Sequence, residues 1–187
     1  DEKTLDVFRS GKDIYKHTAC GIFNKDYSDI DGDMRFIGKV ATLALGFQGG
    51  VNAFTTMGKN YGVEIDETLA TETVKNYRRA NKRIVSLWHT MNDGVMDVVG
   101  RTIKCKTVGQ LLINLEGDWL TVRLPSGRKL AYYKPLNEDH ESSGRIKTTF
   151  MGVGFNRKFM RIDTYGGKIV ENVTQAVARD VLGANLS

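Results

Sequence analysis

An α+β fold is what this sequence predicts: mostly helical up to about Val99, then a small antiparallel β portion closed by one helix. Three observations carry that expectation. Apolar residues recur at three- and four-residue spacing through the first half. From Lys104 onward, short alternating segments are separated by glycine-containing turns. Near the end, Val170, Val173, Val177 and Val181 return to helical spacing. At 187 residues with 41% hydrophobic content, the chain can bury a sizeable core as one or two compact units.

Taken in order, Leu5 and Phe8 stand one turn apart, and Ile14, Ala19, Ile22 and Phe23 resume a helical pattern after a connection marked by Gly11. A polar turn from Asn24 to Asp33 follows. The clearest periodicity runs from Met34 to Phe47, where Ile37, Val40, Ala41, Ala44 and Leu45 form one apolar stripe. Asp31 or Asp33 can cap its start, and Gln48, Gly49 and Gly50 are placed to end it. A short helix is expected from Val51 to Lys59. Asp66 then opens one long helical stretch with Tyr77, Ile84, Trp88, Met91, Val95 and Val98 on one side.

Beyond Lys104, strands are expected around Leu112 to Leu115, Trp119 to Pro125 and Lys129 to Tyr133, joined by Glu116-Gly117-Asp118 and Ser126-Gly127 turns. A charged loop from Asn137 to Arg145 precedes a further strand. The closing helix is expected over Lys168 to Leu182. There is no internal repeat and no low-complexity tract.

Composition narrows the function classes. No uninterrupted apolar run approaches bilayer length, and the chain opens on Asp1, Glu2 and Lys3 where a secretory signal would be apolar, so a cytoplasmic protein with no membrane partner is expected. Cys20 and Cys105 lack the clustering of a metal site or disulfide framework and read as ordinary thiols. The net charge of +5 favours polyanionic partners. Its distribution is uneven: Lys75, Arg78, Arg79, Lys82 and Arg83 crowd around Tyr77, which suits either a solvated helix face or a phosphate-tracking surface.

Opposite the apolar stripe of the Met34 to Phe47 segment stand Arg35, Lys39, Thr42 and Gly46, with no acid among them. Arg35 and Lys39 are one turn apart, so both side chains can converge on one polyphosphate, Arg as a planar fork and Lys as a point charge. Gly46 leaves the same face open further along, flanked by Leu43 and Phe47. That combination suits a nucleoside triphosphate, although the same spacing occurs on solvated helix faces. Neither the G-x-x-x-x-G-K-[ST] phosphate loop nor a strand followed by G-x-G-x-x-G is present.

The pattern Arg35-x-x-x-Lys39-x-x-x-Leu43-x-x-x-Phe47 resembles the fingers-helix motif of family A DNA polymerases, the family that includes bacterial DNA polymerase I. Its flanks, Ile37 to Ala41 and Leu45 to Gly50, look like the bacteriophage branch. The similarity continues in order through Gly11 to Tyr15, Tyr77 to Asn81, Ile84 to Trp88, Arg123 to Arg128, Thr164 to Asn172 and Thr174 to Asp180. It therefore covers nearly the whole chain.

That resemblance implies a fingers subdomain over residues 1–99 and part of a palm subdomain over 100–187, in a nucleotidyltransferase of DNA replication. It implies a cytoplasmic setting in a bacterial host, with the gene carried by a phage or prophage. Arg35 and Lys39 would contact the phosphates of an incoming deoxynucleoside triphosphate, with Lys39 as the catalytic acid that protonates the departing pyrophosphate. Leu43 replaces a Phe or Tyr that touches sugar and base, Phe47 replaces a Tyr, and Tyr15 replaces a phosphate-contacting His. Gln175 matches a residue that reads the minor-groove edge of primer-template DNA, with Asn172 and Arg179 on the same helix face. Arg128, Lys129 and Lys168 are candidate phosphate contacts.

In such enzymes Mg²⁺ is held by carboxylates from a D-Y-S-type strand and an H-D-E-type hairpin, and neither is in this sequence. Asp26-Tyr27-Ser28 imitates the first but falls in a polar turn. The expectation is a segment that binds no metal by itself, is inactive alone, and depends on remaining polymerase segments carrying the catalytic carboxylates. A non-catalytic DNA-binding module or accessory subunit derived from a polymerase is the competing reading. A structural protein whose basic helix meets an acidic partner ranks last.

Overall fold

The computed structural model describes residues 2–139 and 145–186, in two compact units, Asp1–Ser86 and Leu87–Ser187. Helices make up the first: α1 (Glu2–Arg9), α2 (Ile14–Phe23), a 3-10 turn (Tyr27–Asp29), α3 (Gly32–Leu45), α4 (Val51–Asn60), α5 (Glu67–Ala80) and the start of α6 (Lys82–Val99). The second holds the rest of α6, six strands and α7 (Gly166–Leu186). The α+β class expected from the sequence is the one observed.

Helix starts in the first unit are set by aspartates. Asp13, Asp31 and Asp66 each accept hydrogen bonds from backbone N–H groups of the first turn of α2, α3 and α5. The core is built from Ala19 and Ile22, Val40, Ala41 and Leu45, Phe54, and Ala70, Val74 and Tyr77. Burying a side chain such as Phe54 or Leu45 contributes about 1.5–3 kcal/mol. Gly38 lets α3 lie directly on α2, since a Cβ there would sit 2.2 Å from the Tyr15 carbonyl oxygen.

Several boundaries differ from the sequence expectation. α3 ends at Leu45 rather than Phe47, because Gln48 takes a positive φ of 70° and its N–H turns back to the Leu45 carbonyl. Phe47 lies in the turn beyond. The long stretch after Asp66 is two helices, broken at Asn81 with φ −110° and ψ 45°. Asn81 donates to the Tyr77 carbonyl from both its backbone N–H, at 3.0 Å, and its side chain, at 2.9 Å, so the side chain competes for the helix's own acceptor.

The strands β1 (Cys105–Val108), β2 (Leu111–Glu116), β3 (Trp119–Arg123), β4 (Lys129–Asp139), β5 (Ile146–Val153) and β6 (Phe159–Thr164) form an antiparallel meander in sequence order. Register puts Ile113, Leu120, Val122 and Tyr132 on one face, where all four are buried. The opposite face carries Glu116, Thr121, Lys129 and the ring row Trp119, Tyr133 and Phe159, with centroids 4.8 Å and 6.5 Å apart in succession. Pairing of β4 with β5 shifts between Tyr133 and Leu136, where Pro135 has no N–H to give and Lys134 takes a positive φ.

Of the expected charged loop, Asn137 to Asp139 belong to β4, and residues 140–144 lie outside the described residues. α7 starts two residues earlier than expected and buries Gly166, Gly167, Ile169, Val170, Val173 and Ala176. Val181 is exposed instead of buried. Gly166 lets α7 begin directly against α6, since a Cβ there would stand 1.9 Å from the Trp88 carbonyl oxygen.

Candidate functional site

In the first unit the candidates gather on α3 and the N-terminus of α2. Asp13 caps α2 through one oxygen, which accepts from the N–H groups of Tyr15 at 2.8 Å and Lys16 at 3.2 Å. Its second oxygen accepts from Arg35 Nε at 2.6 Å. The Arg35 guanidinium also lies 5.5 Å from the centre of the Tyr15 ring. Burial alone would raise the Asp13 pKa, but the hydrogen bonds from Arg35 and the two backbone N–H groups outweigh it and hold the group below its usual 3.8.

Lys39 is held differently. Its ammonium sits 4.9 Å from the ring centre of Tyr61, at the end of α4, and it makes no ion pair among the described residues. Tyr61 is steadied edge-on by Phe36. Leu43 is exposed on the same helix, while Phe47 is half-buried in the turn that follows. Thr42 Oγ1 donates to the Gly38 carbonyl at 2.7 Å and lies 3.0 Å from Thr18 Oγ1, so this hydroxyl ties α3 to α2. The structure thus brings Arg35 and Tyr15 together, seats Lys39 half-buried against Tyr61 and leaves Leu43 exposed on α3.

In the second unit Arg128, Leu130, Ala131, Tyr132, Asn172, Gln175, Ala176 and Arg179 line an open groove between the end of the β3–β4 hairpin and α7. Asn172 donates to the Tyr132 hydroxyl at 3.0 Å, and burial pushes that phenol's pKa up. Arg128 reaches across to α7, donating from Nε to Asp180 at 2.6 Å and from Nη2 to the Ala176 carbonyl at 3.1 Å. Ser126 donates to the other Asp180 oxygen at 2.6 Å. These two bonds, Ser126 first and Arg128 second, hold the Asp180 pKa below its usual value.

Two of the expected cations lie outside that groove. Lys129 points to the opposite sheet face, where both Glu116 oxygens accept from it at 2.7 Å and 2.8 Å. Lys168 shares the α7 face but donates to Glu171 one turn on. Glu171 also accepts from Gln175 at 3.2 Å, so the amide expected to read a groove edge has an intramolecular partner to exchange. Asp13, Tyr61, Ser126, Asp180 and Glu171 were not singled out from the sequence. The acidic partners carry no local motif, and most of these pairings join residues far apart in the chain.

Asp26-Tyr27-Ser28 is structural. Tyr27 accepts the Asp13 N–H on its hydroxyl at 3.0 Å, and Lys12 and Lys16 lie over its ring. Among the described residues no group of three or more His, Cys, Asp or Glu side chains is placed to hold a metal ion. No helix among the described residues is long and apolar enough to cross a membrane.

No family model matches the chain. The chain is 40% identical over 189 residues to a protein of Bacillus phage SP02 named DNA polymerase, a match that covers all of this chain and 29% of the phage protein's length.

Proposed function

We propose that this chain is part of a DNA-directed DNA polymerase of the family that includes bacterial DNA polymerase I, and that it grips the incoming deoxynucleoside triphosphate and the primer-template. The carrying observation is the cationic face of α3, Arg35 with Lys39 one turn on, in a chain similar along its whole length to a phage DNA polymerase. Arg35, held at Nε by Asp13, keeps its terminal nitrogens for a phosphate fork. Lys39 supplies a mobile point charge and, in this reading, the proton for the departing pyrophosphate. Leu43 and Phe47 give the sugar and base an apolar surface. Asn172, Gln175 and Arg179 offer the α7 groove to the primer-template, with Arg128 tying the hairpin to the helix beside them.

Mg²⁺ would be held by carboxylates of other polymerase segments, so the 187 residues alone are expected to bind both ligands without joining them. The test is titration with labelled primer-template and with a deoxynucleoside triphosphate at fixed salt, using the parent chain, Lys39→Ala and Gln175→Ala. Selective loss of nucleotide binding in the first and of DNA binding in the second is expected. Saturable DNA binding lost in Gln175→Ala, with no triphosphate binding by the parent, would instead favour an accessory DNA-binding module. Primer extension by the purified chain above a metal-free control would refute its expected inactivity.

A further inference from the structure

The basic cluster around Tyr77 takes no part in either site described above. Tyr77 itself is buried, and Lys75, Arg78, Arg79, Lys82 and Arg83 are all exposed around the corner where α5 passes into α6. Arg78 and Arg79 each stand one turn beyond Lys75 on α5. Arg79, Lys82 and Arg83 meet in one open groove of about 480 Å³, whose other lining residues are Glu2, Lys3 and Ala80. The one carboxylate there, Glu2, is engaged by Arg9 at 3.2 Å. Arg78 donates to the Gly49 carbonyl at 3.3 Å, and none of the five cations forms an ion pair with an acid among the described residues.

Helix stabilisation explains only two of these five cations. Arg78 and Arg79 stand in the last turn of α5, where cations suit the negative end of the helix dipole. Lys82 and Arg83 stand in the first turn of α6, where the dipole disfavours them and no acid offsets them. An unpaired cationic corner of this kind lowers its own electrostatic energy by taking up a polyanion. Side chains of this length and mobility suit a repeating phosphate backbone better than a single shaped ligand.

We propose that this corner is a second nucleic-acid contact, tracking the phosphates of a single strand without reading its sequence. The inference rests on the polymerase reading only for the source of that strand, a template beyond its paired portion. The unpaired charge at the corner does not depend on that reading.

The test is fluorescence anisotropy of a labelled oligothymidylate with the parent chain and with Lys75→Gln/Arg79→Gln/Lys82→Gln/Arg83→Gln, at several salt concentrations. Arg78 is left in place because it holds the Gly49 carbonyl. The fourfold variant is expected to bind at least about tenfold more weakly and to lower the slope of log affinity against log salt by roughly 2–3, at about 0.7 for each phosphate that is no longer neutralised. Unchanged affinity and slope would overturn the proposal. So would polyglutamate or phosphatidylserine vesicles of matched charge competing as well as unlabelled oligothymidylate, since the partner would then be an acidic protein or a membrane. If the fourfold variant does not fold by circular dichroism, Lys82→Gln and Arg83→Gln alone should each lower the slope by about 0.7, and an unchanged slope in both would overturn it equally. Lys39→Ala and Gln175→Ala are run in parallel. If neither alters triphosphate or primer-template binding while the corner variants act as expected, the polymerase reading fails and the corner stands. The reverse pattern separates them the other way.

Discussion

Asp13 and Arg35 form the shortest link between α2 and the cationic face of α3, Oδ2 to Nε at 2.6 Å, while the other Asp13 oxygen caps α2. One side chain therefore fixes both where a helix starts and where a candidate phosphate ligand points. Asp13→Asn retains a capping oxygen but loses the charge. Because the folded pKa of Asp13 lies below its usual 3.8, its stabilisation is full above that value and is lost as pH falls through the lower folded value. Thermal midpoints of parent and variant should differ near neutral pH and converge in acid, whereas a constant gap down to the most acidic pH would exclude the linkage.

Asp13→Ala removes the cap as well. It should cost about 0.5–2 kcal/mol, the usual range for a lost aspartate cap, when measured by urea denaturation. A change within error would mean that Tyr15 and Lys16 find other acceptors for their N–H groups.

Gly38→Ala places a methyl carbon where the Tyr15 carbonyl oxygen already stands, 2.2 Å away. The neighbour is backbone and cannot swing aside, so α2 and α3 must separate. A loss of about 1–3 kcal/mol, the overpacking range, is expected in the same denaturation experiment.

Lys39 rests on the Tyr61 ring before any ligand arrives. An exposed cation–π contact is worth about 0.5–1 kcal/mol, so Tyr61→Leu should raise triphosphate affinity roughly two- to fivefold by calorimetric titration. Weaker binding in the variant would show that Tyr61 contributes to the ligand directly instead of holding the lysine back.

Asp180→Asn should loosen the hairpin held against α7. The Asp180 charge keeps both the Ser126 hydroxyl and the Arg128 guanidinium in place. Hydrogen exchange at the Gly127 amide, which donates to Leu124 within that turn, should quicken while the paired amides of β3 and β4 stay protected.

Much of the architecture was legible because its signals are local. The stripe Val40, Ala41 and Leu45, the cap Asp31 and the turn at Gly117 each declare themselves within a few residues. β1 and β6 were not foreseen. β1 exposes Cys105, Lys106 and Thr107, and β6 shows little of the apolar alternation by which a half-buried strand is recognised. In α7 the valine pattern pointed partly the wrong way: Val170 and Val173 are buried, but Val181 is exposed, and the buried face also includes Gly166 and Ala176. For the candidate site, the cations on α3 were readable from spacing. What holds them was not: Asp13 is 22 residues from Arg35, and Tyr61 comes from another helix altogether.

The two tryptophans of the chain both fall in the second unit, and they differ sharply. Trp88 is 1% exposed, whereas Trp119 is 43% exposed at one end of the outer ring row. Iodide in solution should therefore quench Trp119 and spare Trp88, while denaturant shifts the Trp88 emission to the red. The first unit has no such chromophore. Unfolding followed by tryptophan emission reports the strands and their helices, and any transition seen only in the far-ultraviolet dichroism belongs to the helices that carry Arg35 and Lys39.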